Sequence, residues 1–258
     1  MKDNDAELII QSAEKYYGIK TDLIDAKKLE TCIKEKYGVL DTDILEKIFS
    51  SGEAAEFLTV SETYFFREPM HFDFLSEYLT QKNGNLKICS AGTASGCEAY
   101  SIAILIESFM NSGINSNFKT YEIDAFDINL HQIEKANDGI YGQRSLREDG
   151  STFHSIMEPY MNKNENNLTL LDSIKKNINF FVHNLMKELP YKDYDIIFFR
   201  NAFIYFTDDH RNTVLSNLSS ALKENGLLIM GVSETANAKP KGLIQKINND
   251  VFYFQKTV

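Results

Sequence analysis

The residues best suited to chemistry surround a short loop of small residues, AGTASG, that contains Gly92 and Gly96. An apolar run ending at Cys89 precedes this loop, and apolar residues at helical spacing follow Glu98. A loop of this kind lets a ligand approach the backbone closely and offers it free N–H groups. The pattern predicts a nucleotide or nucleoside site, although tight strand–helix turns also carry glycine for structural reasons. Because the spacing is not G-x-G-x-x-G, a dinucleotide is not the first expectation.

Two carboxylates accompany the loop. Asp127 ends a second predicted strand within residues 121–129, where a carboxylate can accept hydrogen bonds from both hydroxyls of an adenosine ribose. Its alternative role is the N-cap of a helix predicted over residues 130–137. Glu98 lies at the start of the helix after the loop, where it can serve a ligand or be a first-turn acid favoured by the helix dipole.

An arginine follows an aromatic pair in the segment TYFFRE, at Arg67. An arginine that emerges from apolar surroundings usually meets a carboxylate or a phosphate. The alternative is a surface salt bridge with Glu68 or another acid. If the segment is helical, Thr63 and Arg67 share one face because they are four residues apart.

A third buried run, residues 195–199, is followed by Arg200, Asn201 and Tyr205. Open α/β sheets bind their ligands at the carboxyl ends of their strands, so these side chains are expected near the loop. Tyr205 can instead be a core tyrosine with a satisfied hydroxyl. Asn184 follows another predicted strand and can equally be a turn residue.

The hydrophobic pattern supplies elements that would position these residues. Before the loop, helical spacing and its stops predict four helices, over residues 8–17, 23–37, 43–49 and 70–82. A polar stretch with a turn signal and short strands, at 162–167, 168–171 and 178–182, predicts a small inserted sheet. A helix at 208–223 and strands at 227–232 and 252–255 end the chain.

Composition limits the class of protein. The chain has 258 residues and 43% hydrophobic content, enough for one substantial core and a small accessory domain. Its formal charge of −10 argues against nucleic-acid binding. No apolar run approaches the ~20 residues that span a bilayer, and the N-terminus lacks a signal-peptide pattern. Scattered histidines and three cysteines without a CxxC pair predict a reduced, cytoplasmic protein without a metal site or disulfides.

Seven sequence blocks, in one order and spanning nearly the whole chain, resemble the chemotaxis-receptor glutamate methyltransferases, the CheR family. The blocks are SETYFFRE (61–68), SAGTASGCEAYSIA (90–103), AFDIN (125–129), GIYGQRSLR (139–147), HNL (183–185), FFRNAFIYF (198–206) and LKENGLLIMGVSE (222–234). The specific feature is FFRE followed much later by RNxxIYF. The resemblance implies an α/β fold with a Rossmann-like class I S-adenosylmethionine methyltransferase sheet.

The resemblance also implies domains and an activity. It places an N-terminal helical domain at residues 1–57 and the methyltransferase domain at 58–258, with a small antiparallel β-subdomain inserted at about 142–182. The activity is transfer of a methyl group from S-adenosylmethionine to chemoreceptor glutamates, which leaves S-adenosylhomocysteine and gives methyl esters in chemotaxis adaptation. A glutamate is already ionised at neutral pH, so this reaction needs no general base.

The resemblance assigns roles to particular residues. Arg67 orients the substrate carboxylate, and Tyr205 lines the methyl-transfer site. The implied cofactor-binding residues are Ser61, Thr63, Arg67, Gly92, Glu98, Asp127, Asn184, Leu185, Arg200 and Asn201. Three positions depart from the family pattern, namely Ser61, Cys97 and Ala99, where asparagine, glutamate and proline are usual. We interpret Cys97 as a small neutral substitute and not as a nucleophile.

The implied partner is the cytoplasmic domain of chemoreceptors. In the family a basic helix, here with Lys27, Lys28, Lys34 and Lys36, meets acidic receptor helices, although lysines in such a pattern are also typical of a solvated face. Some members grip a receptor's C-terminal tail by strand addition to the β-subdomain. A monomer is expected. Two alternatives remain, a methyltransferase for another protein or a small molecule, and a non-catalytic cofactor-binding signalling module.

Overall fold

The computed structural model describes residues 2–58, 62–114 and 117–257. Helices fill the amino-terminal part, as α1 (Lys2–Tyr17), α2 (Ala26–Tyr37), α3 (Thr42–Ser50) and α4 (Ala55–Leu58). Their ends follow the predicted signals. Gly38 closes α2 in the left-handed conformation, and Asp41 caps α3 by accepting the Ile44 N–H at 2.9 Å.

Strands and helices alternate in the rest of the chain. They are α5 (Met70–Gln81), β1 (Gly84–Ala91), α6 (Cys97–Asn111), β2 (Phe118–Asp127), α7 (Leu130–Asp138), β3 (Ile140–Gly142), α8 (His154–Met157), β4 (Met161–Lys163), β5 (Asn167–Leu170), α9 (Asp172–Lys175), β6 (Ile178–Val182), β7 (Tyr194–Phe199), α10 (Asp208–Ala221), β8 (Leu222–Met230), α11 (Val232–Thr235), β9 (Leu243–Asn248) and β10 (Val251–Lys256). Among the described residues, no helix is long and apolar enough to cross a bilayer.

The large sheet has seven strands in the order β6-β2-β1-β7-β8-β10-β9. The first five run parallel, and β10 pairs antiparallel with both β8 and β9. The register sets Ser90 of β1 beside Ala125 of β2 and Phe198 of β7. The carboxyl ends of β1, β2 and β7 therefore meet at one edge, where the α/β prediction expects a ligand.

Apolar residues form three clusters that fix the layers. One lies between one face of the sheet and helices α5 and α6, and a second lies between the other face and α10. Strand β7 is buried along its whole length because both of its faces are covered. The third cluster belongs to helices α1–α4 and includes Ile9, Leu29 and Phe49.

The inserted sheet is smaller than the sequence predicts. Three short antiparallel strands, in the order β3-β5-β4, form it within residues 140–170. The run Ile178–Val182, which the sequence assigns to the insertion, pairs in parallel with β2 in the large sheet instead. Packing of Phe180 against Tyr100 of α6 accounts for this placement. The domain boundaries inferred from the sequence stay predictions.

Candidate functional site

A cavity of about 380 Å³ lies at the carboxyl edge of the parallel strands. The loop after β1, the end of β2 and the segments after β6 and β7 line it, together with residues near the end of α1. Ten of the eleven predicted site residues are among its lining, namely Thr63, Arg67, Gly92, Glu98, Asp127, Asn184, Leu185, Arg200, Asn201 and Tyr205. The eleventh, Ser61, lies outside the described residues. Their individual roles stay predictions.

The loop after β1 does not offer its N–H groups as the sequence predicts. The N–H groups of Gly92 and Thr93 both donate to the Phe126 carbonyl at 2.9 Å, and that of Ala94 donates to Asp127. Gly96 donates to the Thr93 carbonyl at 3.0 Å. These bonds fold the loop onto the end of β2. They leave Gly92 to admit a ligand by its lack of a side chain.

Asp127 is held by the loop and by the start of α7. One carboxylate oxygen accepts the Ala94 N–H and the other accepts the Asn129 N–H, each at 2.9 Å. The alternative role as helix cap is wrong, because the Asn129 side chain caps α7 by accepting the Gln132 N–H. Burial raises the pKa of Asp127, against the opposing effect of these N–H groups. The carboxylate lines the cavity with further lone pairs available to a ligand.

Glu98 belongs to a buried ionic network. Its carboxylate accepts the Ser90 hydroxyl at 2.7 Å and the Arg200 guanidinium at 2.9 Å. The Arg200 side chain is only 2% exposed and also contacts Glu68 at 3.2 Å. Burial opposes ionisation of Glu68, but the close contact with His71 and the charge of Arg200 hold the pKa of Glu68 well below its usual range. The first turn of α6 therefore presents a carboxylate that is fixed on two sides.

The segment that carries Arg67 is not helical, so Thr63 and Arg67 do not share a helix face. Phe66 and Glu68 have left-handed backbone angles, with φ of 53° and 56°. The Arg67 guanidinium donates to the Glu62 carbonyl at 3.1 Å and lies 5.5 Å from the centre of the Tyr64 ring. Glu68 pairs with Arg200 and not with Arg67, so the alternative role of Arg67 as the salt-bridge partner of Glu68 is wrong.

Tyr205 and Asn184 connect the cavity to the end of α1. The Tyr205 carbonyl accepts the Lys20 N–H at 2.9 Å, and burial raises the pKa of its phenol. The Asn184 amide donates to the Tyr16 carbonyl at 2.7 Å and accepts the Met186 N–H. The backbone carbonyl of Asn184 accepts the Lys187 N–H at 2.9 Å, so the side chain and the carbonyl both hold this segment in place beside the cavity.

Sequence reasoning missed two carboxylates near the cavity. Glu234 is 1% exposed and accepts the N–H groups of Asn201 at 2.7 Å and Ile204 at 3.2 Å. Burial raises its pKa. Glu68 contacts Arg200, as described above. Glu68 ends the block SETYFFRE and precedes a proline, while Glu234 ends the block LKENGLLIMGVSE and follows a glycine and a predicted strand. These positions were the signal from which the two acids could have been found.

Cys97 is fully buried at the start of α6, and burial raises the pKa of its thiol to about 12. It is therefore a neutral packing residue, as the sequence predicts. Among the part of the chain that the structure describes, no group of three histidine, cysteine or acidic side chains could hold a metal ion.

The sheet order and the cavity at its carboxyl edge define a Rossmann-like α/β protein with a ligand site at the ends of its parallel strands. Residues 61–252 match the sequence model of the CheR methyltransferase, SAM binding domain. The chain belongs to the CheR methyltransferase family.

Individual relatives agree with this membership. The chemotaxis protein methyltransferase of Borreliella burgdorferi is 33% identical over 195 residues, which cover 71% of this chain and 67% of that protein. The chemotaxis protein methyltransferase of Escherichia coli is 29% identical over 201 residues, which cover 74% and 68%. The probable biofilm formation methyltransferase WspC of Pseudomonas aeruginosa is 28% identical over 200 residues, which cover 73% and 45%.

The cavity fits S-adenosylmethionine, the cofactor of the family, on its donor set. Asp127 supplies carboxylate lone pairs that can accept ribose hydroxyls. Glu98 adds a second negative charge, which suits a molecule that carries an ammonium and a sulfonium. Gly92 lines the cavity beside Ala202, and a side chain at position 92 would crowd this wall, because an added Cβ would lie 3.2 Å from that of Ala202.

Proposed function

We propose that this protein methylates glutamate side chains in the cytoplasmic domain of chemoreceptors and so gives the methyl esters used in chemotaxis adaptation. The observation that carries the proposal is one cavity that combines two kinds of group. Asp127 and Glu98 supply acceptors for a cofactor, while Arg67 and Tyr205 supply a cation and a phenol for a substrate carboxylate. Methyl transfer also needs a site from which water is excluded, and the aromatic rings of Phe72 and Phe126 help to line the cavity.

The residues that line the cavity support the following proposed contacts with the cofactor. Asp127 accepts the ribose hydroxyls, and Glu98 faces the amino-acid end. Leu185 and the backbone of Asn184 flank the adenine. The residues proposed to shape the remaining wall are Thr63, Gly92, Arg200 and Asn201. The cofactor role of Ser61 stays a prediction from the family resemblance.

The proposed mechanism relies on alignment and on exclusion of water. When bound, S-adenosylmethionine supplies an electrophilic methyl group. Arg67 attracts the substrate carboxylate and orients one of its oxygens by charge-assisted hydrogen bonds. Tyr205 donates its hydroxyl to the same carboxylate, and because its pKa is raised by burial, it stays protonated at neutral pH. The glutamate is already ionised, so no residue of the chain has to remove a proton.

The surface that binds the receptor and the oligomeric state are part of the same proposal. On α2, Lys34 pairs with Asp5 and Glu30, and Lys36 pairs with Glu53, so these two lysines are largely neutralised. Lys27 and Lys28 are exposed and are the residues we propose for acidic receptor helices. A receptor C-terminal tail would add a strand to the inserted sheet. We propose a cytoplasmic monomer.

The test is methyl transfer to a purified cytoplasmic fragment of a chemoreceptor. With S-adenosylmethionine labelled in its methyl group, the receptor should gain label that mild alkali releases as methanol, because carboxyl methyl esters hydrolyse in base. A receptor whose candidate glutamates are replaced by alanine should gain none. If the protein binds S-adenosylhomocysteine but labels only another protein or a small molecule, the receptor assignment is wrong.

A further inference from the structure

The Glu68 carboxylate contacts three separate parts of the chain, and no role described above uses it. After β7, Arg200 Nη2 and Asn201 Nδ2 each lie 3.2 Å from its oxygens. After β8, the Val232 N–H lies 3.4 Å away. In the first turn of α5, His71 Nδ1 lies at 3.3 Å. One carboxylate thus joins the segment before α5 to the carboxyl ends of two neighbouring strands.

These contacts hold a backbone segment whose φ angles are unusual. Phe66 and Glu68, on either side of Arg67, have φ of 53° and 56°, in a region that residues other than glycine rarely adopt. Such conformations persist where the surroundings over-determine them. The Phe66 N–H donates to the Ser101 hydroxyl at 2.9 Å, and Arg200 donates to the Arg67 carbonyl. The backbone of Arg67 is therefore tied to α6 and to the end of β7.

The buried charge of Arg200 explains why these contacts require a negative charge at position 68. Its guanidinium is buried between Glu98 and Glu68, so each carboxylate compensates part of a charge that has little access to water. An amide at position 68 would keep only one accepting oxygen, so its NH2 group would face either Asn201 Nδ2 or the donors of Arg200 and Val232, and the negative charge beside Arg200 would be lost. A carboxylate satisfies all three because it only accepts.

We propose that Glu68 is a positioning residue, whose carboxylate clamps the segment 62–68 onto the ends of β7 and β8 and so sets the Arg67 guanidinium at the cavity. This inference rests on the proposed function for its catalytic consequence, because Arg67 acts on the substrate. The clamp itself is a property of the fold and can be measured without a substrate.

The experiment compares Glu68→Gln and Glu68→Asp with the wild-type protein and with Glu224→Gln. Glu224 is an exposed acid near the amino end of β8, away from the cavity, and is the matched control. Hydrogen exchange of residues 62–72 reports the clamp, since an opened segment exchanges its amides faster. Titration with S-adenosylhomocysteine and steady-state methylation separate affinity from turnover.

We expect Glu68→Gln to exchange residues 62–68 at least about tenfold faster than wild type, with little change in the interior of α6. Its kcat should fall about 10- to 100-fold, because a displaced orienting group costs rate more than affinity. Its affinity for S-adenosylhomocysteine should stay within about threefold of wild type. Glu68→Asp keeps the charge, so its exchange rate and its kcat should lie between those of wild type and Glu68→Gln. It remains informative if Glu68→Gln does not fold.

The results distinguish this inference from the proposed function. Wild-type exchange of residues 62–68 in both Glu68 variants would overturn the clamp, whatever the activity. Faster exchange with an unchanged kcat would overturn the positioning role. If the wild-type protein methylates no receptor, the proposed function fails, and the exchange rates of the Glu68 variants still decide whether the clamp exists.

Discussion

Arg67 lies between two residues with left-handed backbone angles, and its carbonyl accepts a hydrogen bond from Arg200. Its side chain rests on the Tyr64 ring and reaches the cavity lining. A guanidinium on a fixed backbone loses little conformational freedom when it binds a carboxylate. At the scale of single residues, we therefore propose Arg67 for the substrate and Asp127 and Glu98 for the cofactor.

Removal of the guanidinium should lower turnover far more than cofactor affinity. In Arg67→Ala we expect kcat to fall about 100-fold, since the carboxylate loses its orienting partner. The dissociation constant of S-adenosylhomocysteine, measured by calorimetry, should change by less than about threefold. Arg147→Ala is the matched control, because Arg147 stacks on the same Tyr64 ring at 4.4 Å. Loss of cofactor binding in Arg67→Ala would contradict the assigned role.

In contrast to Arg67, Asp127 should determine the affinity for the cofactor. Asp127→Asn keeps the shape but loses the charge that strengthens hydrogen bonds to ligand hydroxyls. We expect the dissociation constant of S-adenosylhomocysteine to rise about 10- to 100-fold, which corresponds to about 1.4–2.7 kcal/mol. Calorimetric titration measures it, with exposed Asp22→Asn as the control. An unchanged affinity would remove Asp127 from the ribose site.

At the scale of elements, the turn from β1 into α6 depends on one glycine. Gly96 has φ of +85° at the start of α6, and an added Cβ would lie 2.9 Å from Ala136 Cβ and 3.0 Å from the Phe180 ring. The helix thus starts where α7 and β6 leave no space for a side chain. Glu98 follows two residues later, so the same turn sets the direction of its carboxylate.

A methyl group at this turn should cost stability for two reasons that a control can separate. Gly113 also has a left-handed φ, +72°, but has no atom within 4 Å of an added Cβ. Gly113→Ala should lose about 1–2 kcal/mol from backbone strain alone. Gly96→Ala should lose about 1–3 kcal/mol more, because its new methyl group overpacks the contact. Urea unfolding of the two variants measures the difference, and equal losses would contradict the packing argument.

At the scale of the whole molecule, the helical layer closes one side of the cavity. Ile19 pairs with Phe206 in an isolated antiparallel bridge, and the Thr207 N–H donates to the Gly18 carbonyl at 2.9 Å. Tyr17 and Ile19 reach the lining. Folding of the amino-terminal helices and formation of the site are therefore linked, and a condition that unfolds one should weaken the other.

Acid should destabilise the fold through buried His71. Burial holds the pKa of His71 below its ordinary value of 6.5, although the nearby carboxylate of Glu68 opposes this effect. The unfolded chain therefore binds a proton before the folded one does, and stability is lost as pH falls below about 6.5 toward the folded pKa. His183, whose pKa burial also lowers, adds to the same trend.

Urea unfolding between about pH 7 and about pH 5 measures this dependence. His71→Gln should show a shallower fall in the free energy of unfolding with acid, since only the part due to His183 and the carboxyl groups remains. Exposed His131→Gln is the control and should keep the wild-type slope. A wild-type slope in His71→Gln would mean that His71 does not contribute to it.

The sequence by itself determined the elements around the loop and the residues at their ends. Strand β1, helix α6 and the acid at the end of β2 were predictable because hydrophobic periodicity and helix signals act over a few residues. The presence of Asp127, Arg200 and Tyr205 around one cavity was also predictable, because parallel strands bring their carboxyl ends to one edge. The family blocks added the identity of the cofactor.

Only the tertiary structure decided how these groups are held. The N–H groups of Gly92, Thr93 and Ala94 bond to Phe126 and Asp127 instead of remaining free, and β6 joins the large sheet instead of the insertion. Glu68 meets Arg200, 132 residues away in the chain. Such partners depend on which distant surfaces pack together, and a local pattern of residue types carries no information about that packing.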